Sequence, residues 1–258
     1  MQPDRPSSTA EMVASWRALE ALLPEDARIL DDPHARGFLG PGRARLVDTA
    51  ERLPPRALEA LYRRIDRVVA GVLTFVMSRH RAIDEQICAQ DPPLQQLVLL
   101  GSGYDSRARR LHEALSSARV FEVDHPATAR RRAEHVEQAF GSGPVAQRVP
   151  VVVDFERDDL EKALRTAGLD PSKRTLWVWE GVVMYLDEAA VRETLRLIAR
   201  LSSPGALLCF DAWCPPQDGV KALALRDLPS LAMQLVHSEP FRWGPPSAAL
   251  EPLPKNRF

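Results

Sequence analysis

Val98 to Leu111 reads VLLGSGYDSRARRL: a short aliphatic run, a Gly101-Ser102-Gly103 turn, then a segment able to start a helix. Glycines at such a turn let the backbone pass close to a ligand, and a helix beginning there offers unpaired N–H groups. Working outward, the same pattern repeats. Short β-rich apolar runs at Leu97–Leu100, Val120–Val123, Val149–Val153, Leu176–Trp179 and Ala206–Phe210 alternate with helix-period segments. That alternation is the signature of βαβ units and predicts an α/β fold with a doubly wound, mostly parallel sheet. All five runs are apolar enough to be expected buried on both faces. Pro126 suits the first position of a helix expected to run to Gly141, because its fixed φ fits a helix start. Asp187 can cap a later helix that places Val191, Leu195 and Ile198 on one face and is stopped by Pro204-Gly205.

Residues 1–95 hold no strand candidate. Helical segments are expected at Ala10–Leu22, Arg56–Ala70 and Val72–Ala89, broken by PE, DDP, GPGR and LPPR. This region is expected to pack as a helical lid over the sheet's open end, forming one compact unit with a ligand-binding domain over 96–258. At 258 residues and 45% hydrophobic content the chain can bury the core of one large α/β domain. Its 34 basic and 35 acidic residues cancel to −1, so no global field draws it to nucleic acid or an anionic membrane. The first residues lack a signal-peptide apolar core, and no apolar run approaches the roughly 20 residues that span a bilayer, so a cytoplasmic protein is expected. Cys88, Cys209 and Cys214 show no CxxC spacing; buried free thiols, and neither a disulfide framework nor a metal site, are expected.

Carboxylates punctuate the strand ends. Asp124 closes FEVD, about twenty residues beyond Gly103, where an acid can accept both hydroxyls of a ribose; a helix cap is the alternative. Glu122 is the competing carboxylate, which alternation points the other way from Val123. Asp154 leaves the third strand, either toward the same crevice or as an N-cap of the helix that DFERDDL opens. Glu180, inside LWVWEGVVMYL, would be costly to bury without a partner. In a doubly wound sheet these ends line the crevice where ligands bind. A dinucleotide fingerprint would place Gly or Ala where Ser106 stands, which weighs against a nicotinamide cofactor. Of His80, His112 and His125, the last is read as structural. Tyr185 is read as a wall of a substrate pocket or as packing, and the arginines at 107–110 and 130–132 as solvated helix faces.

The runs VLLGSGYDSRARRL, VFEVDHPATARRR, VVVDFERDDLEKAL and LWVWEGVVMYL, in this order, resemble the leucine carboxyl methyltransferase family, which includes bacterial O-methyltransferases of polyketide type and eukaryotic protein phosphatase methyltransferases. SSTAEMVASWRALE, DDPHARGFL and SRHRAID extend the likeness from about residue 7 to about residue 213. The resemblance implies a Rossmann-like class I methyltransferase fold that uses S-adenosyl-L-methionine. It places Gly101 and Gly103 beneath the donor's methionine part, Asp124 on the ribose, and Asp154 with the Phe155 backbone at the adenine amino group. Arg79 would grip the donor's carboxylate through a bidentate fork. Glu180 would sit near its amino end and the transfer site, with Tyr185 as the other candidate catalytic residue. The implied activity is methyl transfer to a carboxylate or hydroxyl of a small-molecule or peptide-carboxylate acceptor. A non-catalytic donor-binding protein and an NAD-dependent oxidoreductase are the alternatives. Ser106 stands where the family usually has Thr. After EPFRWG the family continues with a helix and two antiparallel strands, whereas this sequence ends at Phe258. A sheet without that edge pair is expected to expose a strand edge through which copies could associate.

Overall fold

The computed structural model describes residues 7–140, 143–155, 157–212 and 244. Strands β1 (Gln96–Leu100), β2 (Arg119–Asp124), β3 (Gln147–Val152), β4 (Thr175–Trp179) and β5 (Leu207–Phe210) form one parallel sheet in the order β3-β2-β1-β4-β5. Each lies within two residues of its expected position. Since β1 to β3 step outward in one direction and β4 returns to the other side of β1, the order reverses at the β1/β4 boundary. In doubly wound sheets such a boundary, where connections leave to opposite faces, is where ligands bind at the carboxyl ends.

Eight helices accompany the sheet among the described residues: α1 (Ser8–Glu20), α2 (Pro41–Glu51), α3 (Pro55–Val68), α4 (Val72–Cys88), α5 (Arg107–Arg110), α6 (Pro126–Phe140), α7 (Leu160–Thr166) and α8 (Glu188–Arg200). Their starts obey local chemistry. Ser7 Oγ accepts from Ala10 N at 3.2 Å and Asp187 Oδ1 from Ala190 N at 2.8 Å, each satisfying an N–H that a first helical turn leaves bare. The GPGR segment, expected only as a break, also opens a helix: Pro41 takes its first turn, where a missing N–H costs nothing.

Strand alternation divides the core. Val98, Leu100, Phe121, Val123, Trp177 and Trp179 face Leu164 of α7 and Val191 and Ile198 of α8. Leu97, Leu99, Val120, Leu176 and Val178 face Ile83 and Ile87 of α4 and Ala108 of α5. Met12, Trp16, Leu58, Tyr62, Leu73 and Met77 form a further apolar cluster shared by α1, α3 and α4.

Two expectations are corrected. β1 and β4 are buried throughout, but β3 and β5, at the two ends of the described sheet, leave Val152, Leu207 and Phe210 at 54%, 39% and 48% exposure. A terminal strand has a neighbour on one side only, so apolar composition does not guarantee cover. Cys88 is exposed on α4 and Cys209 half-buried, so neither is the buried thiol expected; Cys214 and the expected helix stop at Gly141 lie outside the described residues. No described helix is long and apolar enough to cross a membrane.

Phe121, fully buried on β2, tests whether the sheet core holds the strand that ends in Asp124. Phe121→Ala is expected to lower unfolding free energy by about 3–5 kcal/mol in urea titration. Val68→Ala, at a position 73% exposed, should change it by less than about 0.5 kcal/mol.

Candidate functional site

Register alone assembles the site. Leu100 pairs with Val123 and Leu99 with Val178, so the residues that follow bring Gly101, Asp124 and Glu180 side by side at the ends of β1, β2 and β4. At about 4.8 Å per strand, their backbones span roughly 10 Å. Asp124 itself pairs with Val152, which puts Asp154 just beyond the end of β3 on the far side of Asp124.

The turn between β1 and α5 needs its glycines. Gly101 and Gly103 have φ of +72° and +48°, and a side chain on Gly101 would collide with Val182, just after Glu180. Gly101 N and Ser102 N both donate to Val123 O at 2.9 Å, and Gly103 N donates to Asp124 Oδ2. His125 N donates to the other oxygen, Oδ1, at 2.7 Å. Burial pushes the Asp124 carboxyl above its ordinary range, against the pull of these two backbone N–H groups. Two guanidinium groups grip the turn from outside. Arg17 of α1 donates to Tyr104 O at 2.6 Å, while Arg132 of α6 donates to Gly103 O at 2.8 Å and Asp105 O at 2.6 Å. Glu122, two residues earlier and so on the same side of β2 as Asp124, is engaged instead by Arg132 and by Arg148 at 2.6 Å.

The Glu180 side chain is 8% exposed and heavily partnered. Arg79 Nε lies 2.7 Å and Arg107 Nη1 2.9 Å from its oxygens, and His80 Nδ1 contacts it as well. Burial alone would raise this carboxyl; His80, Arg107 and Arg79 overcome that and hold it well below the ordinary carboxylate range. Burial lowers His80, so the ring is neutral near pH 7 and donates Nδ1–H to Glu180. Arg107 at 3.4 Å from that same nitrogen therefore makes no hydrogen bond to it, since both groups are donors. Arg107 also meets Asp84 at 2.7 Å and Asp105 at 2.5 Å; Arg110 meets Asp84 at 2.5 Å; Asp32 binds Arg17 at 2.6 Å and Ser106 Oγ at 2.7 Å. Arg79 Nη1 reaches Asp211 just past β5 at 2.5 Å, and Asp211 Oδ1 accepts from Gly181 N at 2.6 Å.

The arginine run at 107–110 is therefore not a solvated face, and the run at 130–132 is one at the exposed Arg130 and at Arg131 but not at Arg132. Arg107, Arg109 and Arg132 are 1%, 8% and 5% exposed, whereas Arg131, next to Arg132, stays partly exposed and pairs with Glu134. Helix spacing told which sides these residues occupy, not which sides are covered. Asp32, Asp84 and Asp105, their partners, went unremarked in the sequence, as did Asp211; the available signal was an arginine run adjoining a turn that must be buried. The N-cap alternative for Asp154 fails, because Asp159 caps α7 by accepting from Lys162 N at 2.9 Å. Asp154 Oδ2 instead lies 3.9 Å from His125 Nε2, and the neighbouring Phe155 packs partly buried against the sheet core. His125 Nδ1 accepts from Ala127 N at 3.3 Å, in keeping with a structural role. Tyr185 ends a short 3-10 turn, Val183–Tyr185, and is half-buried. Among the described residues, Ser102 Oγ in the glycine turn and Trp179 Nε1 beside Glu180 are buried with no protein partner.

With this geometry in view, the comparisons with known proteins agree on one family. The family model described as leucine carboxyl methyltransferase matches residues 10–199. A Rhodococcus jostii protein is 38% identical over 222 residues, covering 84% of this chain and 69% of its own. A Mycobacteroides abscessus protein is 34% identical over 205 residues, covering 79% and 65%. Both carry the name "Putative S-adenosyl-L-methionine-dependent methyltransferase". The chain spans about two thirds of the length of these curated relatives.

Glu180→Gln removes the anion on which Arg79, Arg107 and the His80 N–H converge, and should destabilise the fold by about 3–5 kcal/mol at pH 7. A carboxyl with a depressed folded-state pKa stabilises above its unfolded value and loses that contribution only as pH falls through the folded value. The gap between wild type and variant in urea titrations is thus expected to stay flat above about pH 5 and to shrink only in stronger acid. A gap that closed near neutrality would contradict the pairing.

Proposed function

The chain belongs to the leucine carboxyl methyltransferase family, and on that premise we propose that it transfers a methyl group from S-adenosyl-L-methionine to an acceptor oxygen. The observation that carries this reading is the alignment of the glycine turn, Asp124 and Glu180 on three adjacent strand ends at the sheet's switch point. The residues present fit such a donor. Gly101 and Gly103 add no side chain to the turn, and Ser102 between them supplies a buried hydroxyl with hydrogen-bonding capacity to spare among the described residues. Asp124 would accept from the ribose hydroxyls, and Asp154 with the Phe155 backbone would face the adenine amino group. Arg79 would take the donor's carboxylate, Glu180 its amino end, and Tyr185 a wall of the acceptor pocket.

When bound, the donor supplies an electrophilic methyl on a sulfonium whose positive charge disappears as the methyl departs. The chain's own residues then have to align the acceptor with that methyl and keep water away. The helices preceding β1 are suited to act as the lid, since α1 already reaches the glycine turn through Arg17. Proton removal is poorly provided for near the strand ends. Glu180 is saturated by cations and held in a weakly basic state, and burial makes the neighbouring His80 imidazole a weaker base than an ordinary one. This supports an acceptor that arrives ionised, a carboxylate of a small molecule or peptide, over a hydroxyl that would need a base.

Calorimetry with S-adenosylhomocysteine should show Asp124→Ala binding at least about tenfold more weakly than wild type, roughly 1.4 kcal/mol. Equal affinities would remove Asp124 from the site. With labelled donor and a panel of carboxylic acids and phenols, transfer is expected to the acids, at a rate that varies little between about pH 6 and pH 8, where a carboxylate is already ionised. Donor binding without transfer to any acceptor would favour a non-catalytic binding protein, and a rate rising with pH on phenols would favour a hydroxyl acceptor.

A further inference from the structure

We propose that Asp211 competes with the donor's carboxylate for the Arg79 guanidinium, so that the acid just past β5 limits how tightly the donor's amino-acid end is held. The proposal rests on the donor site described under the proposed function and concerns a residue to which that site assigned no role. Arg79 meets two anions, Glu180 through Nε at 2.7 Å and Asp211 through Nη1 at 2.5 Å, one on each side of its fork. A guanidinium carries five N–H donors, and end-on bidentate binding of a carboxylate draws on both terminal nitrogens. A donor carboxylate approaching that end would meet the Nη1 already directed at Asp211, and would lie beside a like charge in a largely buried site.

Of the two anions, Asp211 is the one able to yield. Glu180 is held additionally by Arg107 and His80, and its side chain is 8% exposed. Asp211 lies where the sheet ends, its side chain is 14% exposed, and its other bond among the described residues is to the backbone N–H of Gly181 at 2.6 Å. Asp211→Asn separates these two functions. The amide oxygen can still accept from Gly181 N, while the amide nitrogen cannot accept from Arg79, and the negative charge is gone.

The test is calorimetry of wild type, Asp211→Asn and Asp211→Glu with S-adenosylhomocysteine and with 5′-methylthioadenosine, which has the nucleoside but no amino-acid end. Asp211→Asn is expected to bind S-adenosylhomocysteine about tenfold more tightly than wild type and methylthioadenosine within about twofold of it. Asp211→Glu, which keeps the charge, should show no gain. Weaker or unchanged S-adenosylhomocysteine binding by Asp211→Asn would overturn the competition, as would an equal gain for both ligands or an equal gain in Asp211→Glu. A wild-type chain that binds neither ligand would instead sink the donor site itself, and this proposal with it.

Discussion

A carboxylate buried at the end of the sheet stays charged only if cations come to it, and the architecture around Glu180 follows from that requirement. Desolvating each ion costs several kcal/mol, which a single partner in the interior rarely offsets. Here the offset is distributed. Arg79 and Arg107 reach Glu180 from α4 and α5, and the His80 N–H completes the set. Arg107 is in turn neutralised by Asp84 and Asp105, and Arg110 extends the chain from Asp84 toward Asp32 and so to Arg17 of α1. Alternating charges thus run without interruption from the first helix to the strand ends.

Such a network is a poor source of stability compared with apolar packing of the same volume, but a good source of position. Each member accepts few alternative geometries, since moving it strands a charge. The glycine turn benefits directly: Arg17 and Arg132 bind its carbonyl oxygens, while Asp124 binds one of its N–H groups from within. A turn rich in glycine loses much entropy when fixed. Holding it by groups anchored in α1 and α6 keeps its backbone in one shape without side chains of its own that would fill the crevice. The same arrangement explains why the helices before β1 behave as part of the site: α4 supplies Arg79 and His80, and α1 reaches the turn.

Much of this was legible in the residues. The five strands, the Pro126 and Asp187 helix starts and the switch-point crevice follow from periodicity and turn chemistry, which act over a few neighbours along the chain. The place of Asp124 beside the glycine turn was legible because it closes the strand that follows that turn. Glu180 was legible as a charge that must find partners, yet the partners were not: Arg107 lies 73 positions away and Arg79 101. The arginine run at 107–110 was misread for the same reason, since helical spacing assigns sides and says nothing of what covers them.

The division is one of range. The amino-acid order by itself determined which segments are strands, where the chain must turn without side chains, and which acids end at the crevice, because these depend on backbone preference and alternation within a handful of residues. Only the tertiary structure decided that Arg107 and Arg132 are interior, that Asp159 and not Asp154 caps α7, and that Asp211 shares Arg79 with Glu180. Those outcomes depend on which distant charges are brought within a few ångströms once water has been excluded, and no local pattern along the chain encodes that pairing.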